Sequence, residues 1–182
     1  MKIKLKDVRL AFPQLFEAKS VNGGAEAFSA SFIMGPNHPS IAEVNAAIEQ
    51  VAKDKWGAKS ADILKGLRAQ DRVCLHNGDT KTQYEGFEGN FFVSTSSKIR
   101  PLVADKDGSA LSPSDGKPYS GCYVYATIEL WAQDNSFGKR VNAEVKTVQF
   151  FRDGDAFTGG SRPADPDDIE DLTAGADAGA LA

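Results

Sequence analysis

Apolar and polar residues alternate with period two along most of this chain, the pattern of strands that bury one face. Over residues 2–10, Ile3 and Leu5 alternate with Lys2, Lys4 and Lys6, and the phase slips at Asp7 so that Val8 and Leu10 take the apolar role. A bulge is expected at the slip, and Phe12-Pro13 is expected to close the strand. After a turn at Asn22-Gly23-Gly24, residues 27–34 predict a second strand with Phe28, Ala30, Phe32 and Met34 on one face. The period then changes. Ile41, Val44, Ile48 and Val51 recur at helical spacing, predicting an amphipathic helix capped by Gly57, with Trp56 plugging the core at its end. A shorter helix turns Ile63, Leu64 and Leu67 inward, and a short strand ending at His76 follows.

A third full strand is predicted over about residues 87–100. Phe91, Val93, Thr95 and Ile99 share its apolar face; Phe92, Ser94, Ser96, Lys98 and Arg100 share the other. Pro101 ends it, and 104–118 reads as a long polar loop. Residues 119–132 then alternate most clearly of all: Cys122, Val124, Ala126, Ile128 and Leu130 on one face, Tyr119, Tyr123, Tyr125, Thr127, Glu129 and Trp131 on the other. A hairpin turn at 134–138, with Phe137 near its tip, leads into a last strand over 139–152. The chain is therefore mainly β, with a two-helix insertion.

Charge divides the chain in two. The net charge of −4 combines a nearly neutral body with an acidic tail, because every Lys and Arg lies at or before Arg162. The tail, residues 159–182, is mostly Gly, Ala, Asp, Pro and Ser, which cannot offset the entropy of ordering, and it is expected to be disordered. The boundary is placed so that 1–158 forms the folded domain. The N-terminal residues lack the apolar core of a signal peptide and no apolar run reaches membrane-spanning length, so a soluble, cytoplasmic protein without membrane contact is expected. Cys74 and Cys122 are in no paired motif and are expected to be buried free thiols.

Enzyme signatures are missing: there is no phosphate loop, dinucleotide fingerprint, C-x-x-C, H-E-x-x-H or G-x-S-x-G. The two histidines, His38 and His76, have no partner at catalytic or metal-site spacing, and His76 reads as a strand-end residue. No catalysis, metal or cofactor is expected.

Aromatic and basic residues do interleave on the outward faces. Single-stranded nucleic acid exposes phosphates and unstacked bases together, and a binder without sequence preference meets them with cations and flat rings. Phe92, Lys98, Arg100, Tyr119, Tyr123, Tyr125, Trp131, Phe137, Lys139 and Arg140 supply both. Tyr123 and Tyr125 are the foremost expected base contacts and Trp131 the last. The alternative use of such a face is as a protein interface, in a structural or adaptor protein, and a homodimer is one state the sequence leaves open.

Several blocks carry a family resemblance: V-R-L-A-F-P-Q-L-F (8–16), F-S-A-S-F (28–32), K-W-G (55–57), G-K-P-Y-S-G-C-Y-V (116–124), W-A-Q-D-N-S-F-G-K-R-V-N-A (131–143) and V-Q-F (148–150). The chain resembles a family of bacteriophage-encoded single-stranded DNA-binding proteins with an OB-like antiparallel β-barrel, over about residues 1–155. The resemblance implies sequence-nonspecific binding of single-stranded DNA in phage replication, recombination or repair, in the cytoplasm of an infected bacterial host. An ordinary OB-fold carries its helix between the third and fourth strands. Here the helices fall between the second and third full strands, so either Leu15–Lys19 hides a further strand or the barrel is elaborated. Relatives of this kind often end in a disordered acidic segment that recruits replication or recombination proteins. Asp165, Asp167, Asp168, Ile169, Glu170, Asp171 and Leu172 would be that docking segment, Ile169 and Leu172 being its apolar anchors.

Overall fold

The computed structural model describes residues 1–20, 23–157, 169, 172 and 173. Among these, the chain runs β1 (Lys2–Lys19), β2 (Ala27–Met34), α1 (Pro39–Trp56), α2 (Ser60–Ala69), β3 (Leu75–Asn77), β4 (Phe91–Ser97), β5 (Leu102–Ala104), β6 (Tyr123–Asn135) and β7 (Gly138–Arg152). The strands form one sheet in the order β3-β4-β2-β1-β6-β7-β5, antiparallel except where β5 joins β7. The first half of β1 pairs with β6, from Lys2 opposite Glu129 to Arg9 opposite Tyr123. Its second half pairs with β2, from Arg9 opposite Ile33 to Lys19 opposite Ala27. One strand thus serves two layers, and the sheet curls until β4 lies beside β7. That is the OB-like barrel expected from the sequence, with the two helices inserted between β2 and β4.

The interior follows the alternation. Leu5, Val8 and Leu10 of β1, Phe32 and Met34 of β2, and Val124, Ala126, Ile128 and Leu130 of β6 are buried, with Val44, Ile48 and Val51 of α1 closing one end. Both cysteines are free and buried, and burial pushes each thiol up to about 12. The slip at Asp7 is a register shift between Leu5 and Val8, taken up by a left-handed Asp7 at φ 54°.

Four expectations are corrected. β1 does not close at Phe12-Pro13: Phe12 adopts φ 49°, and the irregular register between Ala11 and Gln14 accommodates a proline with no N–H to donate. Leu15–Lys19 is therefore the end of β1; the short strand expected to end at His76 is the three-residue β3, and the additional strand is the three-residue β5. The third full strand starts late, at Phe91. Residues 78–90 instead make a 3₁₀ turn and loops that fold over the outer face of β1, β2 and β4, where Ala11, Ile33, Phe87, Phe92 and Phe157 build a second small core. Phe92 points outward from the barrel as expected but is only 2% exposed, whereas Ile99, expected inward, lies beyond the strand and is 71% exposed. Tyr119 and Cys122 belong to a turn before β6, closed by a hydrogen bond from Cys122 N to the Tyr119 carbonyl.

The domain boundary at 158, the tail and its Asp165, Asp167, Asp168, Glu170 and Asp171 lie outside the described residues; Ile169 and Leu172 are exposed. No helix among the described residues is long and apolar enough to cross a membrane.

Candidate nucleic-acid interface

Residues directly opposite in an antiparallel pair put their side chains on the same face. Starting from the hairpin, the outward face of β6 and β7 reads Gln133 opposite Arg140, Trp131 opposite Asn142, Glu129 opposite Glu144, Thr127 opposite Thr147, Tyr125 opposite Gln149, and Tyr123 opposite Arg152. β1 adds Lys2 beside Glu129 and Lys4 beside Thr127. Trp131 and Tyr125 stand six residues apart, about 20 Å along the strand. A belt of threonines and of Glu129, Glu144 and Lys146, linked by ion pairs at 3.2 and 3.6 Å, separates them.

At the hairpin end, Trp131 is 46% exposed and lines a cleft of about 550 Å³. Lys98, Ser96, Gln133 and Asn142 line it too, with Ala25 and Glu26 of the β1–β2 connection and Ala27 at the start of β2. Ser96 and Asn142 are shared with a second cleft of about 200 Å³ that holds Ser94 and Arg140. The two form one groove along the seam where β4 faces β7. No ladder zips that seam among the described residues; it is bridged by Ser97 Oγ donating to Glu144 Oε1 (3.0 Å), while Val141 N of β7 donates to the carbonyl of Arg72, ahead of β3 (3.1 Å). Serines on the β4 side keep the groove open. Lys98 and Arg140 make no ion pair with a described residue, which leaves both cations available to an anion.

The hairpin rim is braced. Trp56 Nε1, at the end of α1, donates to Asp134 Oδ2 (3.0 Å), and Lys139 Nζ lies 3.5 Å from Asp134 Oδ1. The indole hydrogen bond first, and Lys139 after it, hold the Asp134 carboxyl below the usual range. Arg72 donates to the carbonyls of Phe137 (3.1 Å) and Lys139 (3.0 Å). The Phe137 ring itself is 83% exposed at the tip.

At the other end, Tyr125 and Phe151 stack with centroids 5.0 Å apart and planes 27° apart, and Lys106 Nζ lies 5.4 Å from the Phe151 centroid. With Gln149 they line a hollow of about 190 Å³. Tyr123 is held instead. Its ring has the Arg152 guanidinium at 3.7 Å and that of Arg9 at 5.7 Å, and Arg152 is paired to Asp7. Residues 153–157 strap this corner: Arg9 donates to the Asp155 carbonyl, Phe157 N to the Ser120 carbonyl, and the Tyr119 hydroxyl to Asp153 Oδ1 (2.7 Å). Burial, reinforced by that bond, pushes the Tyr119 phenol up to about 12.

Of the ten residues singled out in the sequence, the fold gathers Lys98, Trp131 and Arg140 in the groove, with Phe137 and Lys139 on its hairpin rim. Tyr125 joins a separate platform. Tyr119 and Tyr123 are held in the strapped corner, Phe92 is buried, and Arg100 lies with its guanidinium 5.5 Å from the Phe16 ring. The order of exposure among the outward rings thus favours Trp131 over Tyr123. Sequence reasoning misses Phe151, Lys106, Lys2 and Lys4. The alternating lysines of β1 are a visible signal, but Phe151 carries none, because an irregularity in the β6–β7 register shifts its phase. No group of three or more metal-ligating side chains occurs among the described residues.

Residues 1–178 match the sequence family described as Enterobacter phage Enc34, ssDNA-binding protein. The chain belongs to this family. Among curated proteins, putative protein p50 of Acyrthosiphon pisum secondary endosymbiont phage 1 is 47% identical over 177 residues, 95% of each chain. The solved structure of the Enc34 protein in complex with ssDNA superposes with a TM-score of 0.72 at 24% identity, covering 85% of this chain and 88% of that one. That of gp2.5, a single-stranded DNA-binding protein encoded by bacteriophage T7, gives 0.57 at 13% identity over 88% and 91%. The two structural likenesses establish a common fold, and the Enc34 family is one of binding proteins, not enzymes.

Proposed function

We propose that this protein binds single-stranded DNA without sequence preference, leading the strand along the β4–β7 groove. The observation that carries the reading is the groove itself: an exposed indole, two cations without an ion pair among the described residues, and a floor of serines meet in one cleft on an Enc34-family barrel. Trp131 stacks on a base, Lys98 and Arg140 neutralise phosphates, and Phe137 at the hairpin tip offers a second ring. The Tyr125–Phe151 platform with Lys106 takes bases farther along the strand, Lys2 and Lys4 adding positive charge between the two aromatic ends. OB barrels commonly take oligonucleotides across the second and third barrel strands; here residues 78–90 cover the outer face of β2 and β4, and the open β4–β7 seam beside it is the path proposed. The biological setting is protection of single strands in phage replication, recombination or repair, with residues 165–172 of the acidic tail recruiting the protein partners.

Titration of oligothymidine at low salt, followed by intrinsic fluorescence, tests the reading. Binding quenches tryptophan emission and weakens steeply with salt, and Trp131→Phe removes most of the quench. Salt-independent binding, or equal affinity for duplex and single strands, would count against it. An oligomer that breaks on Tyr125→Ala, in a protein without DNA affinity, would mark the aromatic face as a protein interface.

A further inference from the structure

A polar chain runs through the wall of the groove. His76, on β3, has a side chain only 11% exposed, its ring stacked on Phe92 with centroids 4.8 Å apart. Its Nδ1 lies 2.6 Å from Asp71 Oδ1, and its Nε2 lies 2.8 Å from Ser94 Oγ. Asp71 reaches the ring from the turn after α2, where it takes a left-handed φ of 54°. Ser94 in turn lines the cleft that holds Arg140 and Asn142. Carboxylate, imidazole, hydroxyl and groove therefore stand in line. The order is that of a hydrolytic triad, but Ser94 N donates to the Cys74 carbonyl (3.0 Å) and so is not free to serve as an oxyanion donor.

The proton state of the ring decides what Ser94 offers to the groove. A carboxylate only accepts, so the ring keeps its hydrogen on Nδ1. With a neutral ring, Nε2 accepts a hydrogen bond from the Ser94 hydroxyl; the oxygen then shows the groove only lone pairs, which phosphate oxygens avoid. With a proton added from solvent, Nε2–H donates to Ser94 Oγ, and the hydroxyl hydrogen is released to point into the groove and donate to an anion. The charged groups around the ring are Asp71 on one side, Lys81 (Nζ 5.5 Å from the centre of the same Phe92 ring) on the covered face of β4, and Arg140 across the cleft. Arg72, next in sequence to Asp71, is turned away to the hairpin carbonyls.

We propose that Ser94 and Arg140 form a backbone-phosphate subsite whose occupation loads one proton onto His76. The proposal rests on the groove being the DNA path. It makes strand binding proton-linked: affinity rises as pH falls, by at most about tenfold per pH unit for a single linked proton. Since the complex holds more protons than its separate parts, acid favours binding and alkali opposes it.

The chain has only two histidines, so the linked proton can be assigned by substitution. Oligothymidine binding is measured calorimetrically near pH 6.5 in buffers of differing ionisation enthalpy, giving the number of protons taken up. Wild type and His38→Gln take up protons, at most one per site; His76→Gln and Ser94→Ala take up none, and their affinity no longer varies between pH 6 and 7. Ser94→Ala removes a single oxygen, so it reads out the subsite even where His76→Gln disturbs the fold. Uptake unchanged in Ser94→Ala, or absent in a wild type that binds tightly and depends on Trp131, overturns the subsite while leaving the DNA path in place. Undiminished binding by Trp131→Ala and Arg140→Ala overturns the path itself.

Discussion

Trp56 and Asp134, 78 positions apart in sequence, are joined by a 3.0 Å hydrogen bond from indole Nε1 to carboxylate Oδ2. The bond ties the C-terminal end of the inserted helix to the hairpin that carries Phe137 and borders the groove. Trp56→Phe keeps the apolar packing and deletes the donor. The Asp134 carboxyl then rises toward its ordinary range, and the amides of 134–138 exchange faster with solvent. Because Asp134 is depressed in the folded state, the brace is present at neutral pH and is lost as acid protonates the carboxylate. Unchanged exchange in the variant would show that Arg72 and the Lys139 ion pair hold the hairpin without the indole.

Trp131 and Tyr123 share a strand face and differ in fate. Trp131→Ala weakens oligothymidine binding by about tenfold to hundredfold, the worth of one base stack, with little change in melting temperature. Tyr123→Ala does the reverse. It removes the ring between Arg9 and Arg152 and costs about 2 kcal/mol of stability in thermal unfolding, with a smaller effect on the affinity of the folded fraction.

Charge reversal at Lys98 and Arg140 tests the phosphate path by slope rather than by affinity alone. Every phosphate that is no longer neutralised lowers the dependence of log affinity on log salt by about 0.7 for a single strand. Lys98→Glu with Arg140→Glu is expected to leave two phosphates unneutralised and to flatten the slope accordingly. Arg100→Glu, at a residue placed over Phe16, leaves the slope unchanged.

Cys74, Cys122 and Tyr119 share one cause and one signature. Burial pushes the two thiols and the phenol each up to about 12. In the native protein neither thiol reacts with a disulfide reagent at pH 8, and both react once the chain is unfolded. Tyr119 ionises at about pH 12, above the ordinary phenol range, in an alkaline absorbance titration. Its raised value means that its contribution to stability is whole below about pH 10 and fades as pH climbs toward 12.

Gly121 is where the strap of 153–157 comes closest to the turn before β6. It sits at φ 107°, and a Cβ there would collide with the Asp155 carbonyl oxygen. Gly121→Ala is expected to cost about 1–3 kcal/mol from backbone strain alone and to release the strap, seen as cleavage by protease within 153–157 at native conditions.

The inward half of this protein is legible in the chain alone. Alternation in β2, in β6 and in β1 ahead of its slip at Asp7 assigns Leu5, Phe32, Val124, Ile128 and Leu130 to the core, because a strand has only two faces and only one is dry. Helical spacing from Ile41 to Val51 places the insertion between the second and third full strands. The outward half depends on tertiary structure. Period two says that Phe92, Tyr123 and Trp131 point away from the barrel, but not what lies above them. Folding puts residues 78–90 over Phe92 and residues 153–157 beside Tyr123, and leaves Trp131 uncovered at the open β4–β7 seam. The Asp71–His76–Ser94 line is of the same kind: its members come from a turn and two strands, and only the pairing of β3 with β4 brings them within hydrogen-bonding distance. Alternation is a local property of the backbone; cover and convergence depend on which distant segments the closed barrel brings back across its own surface.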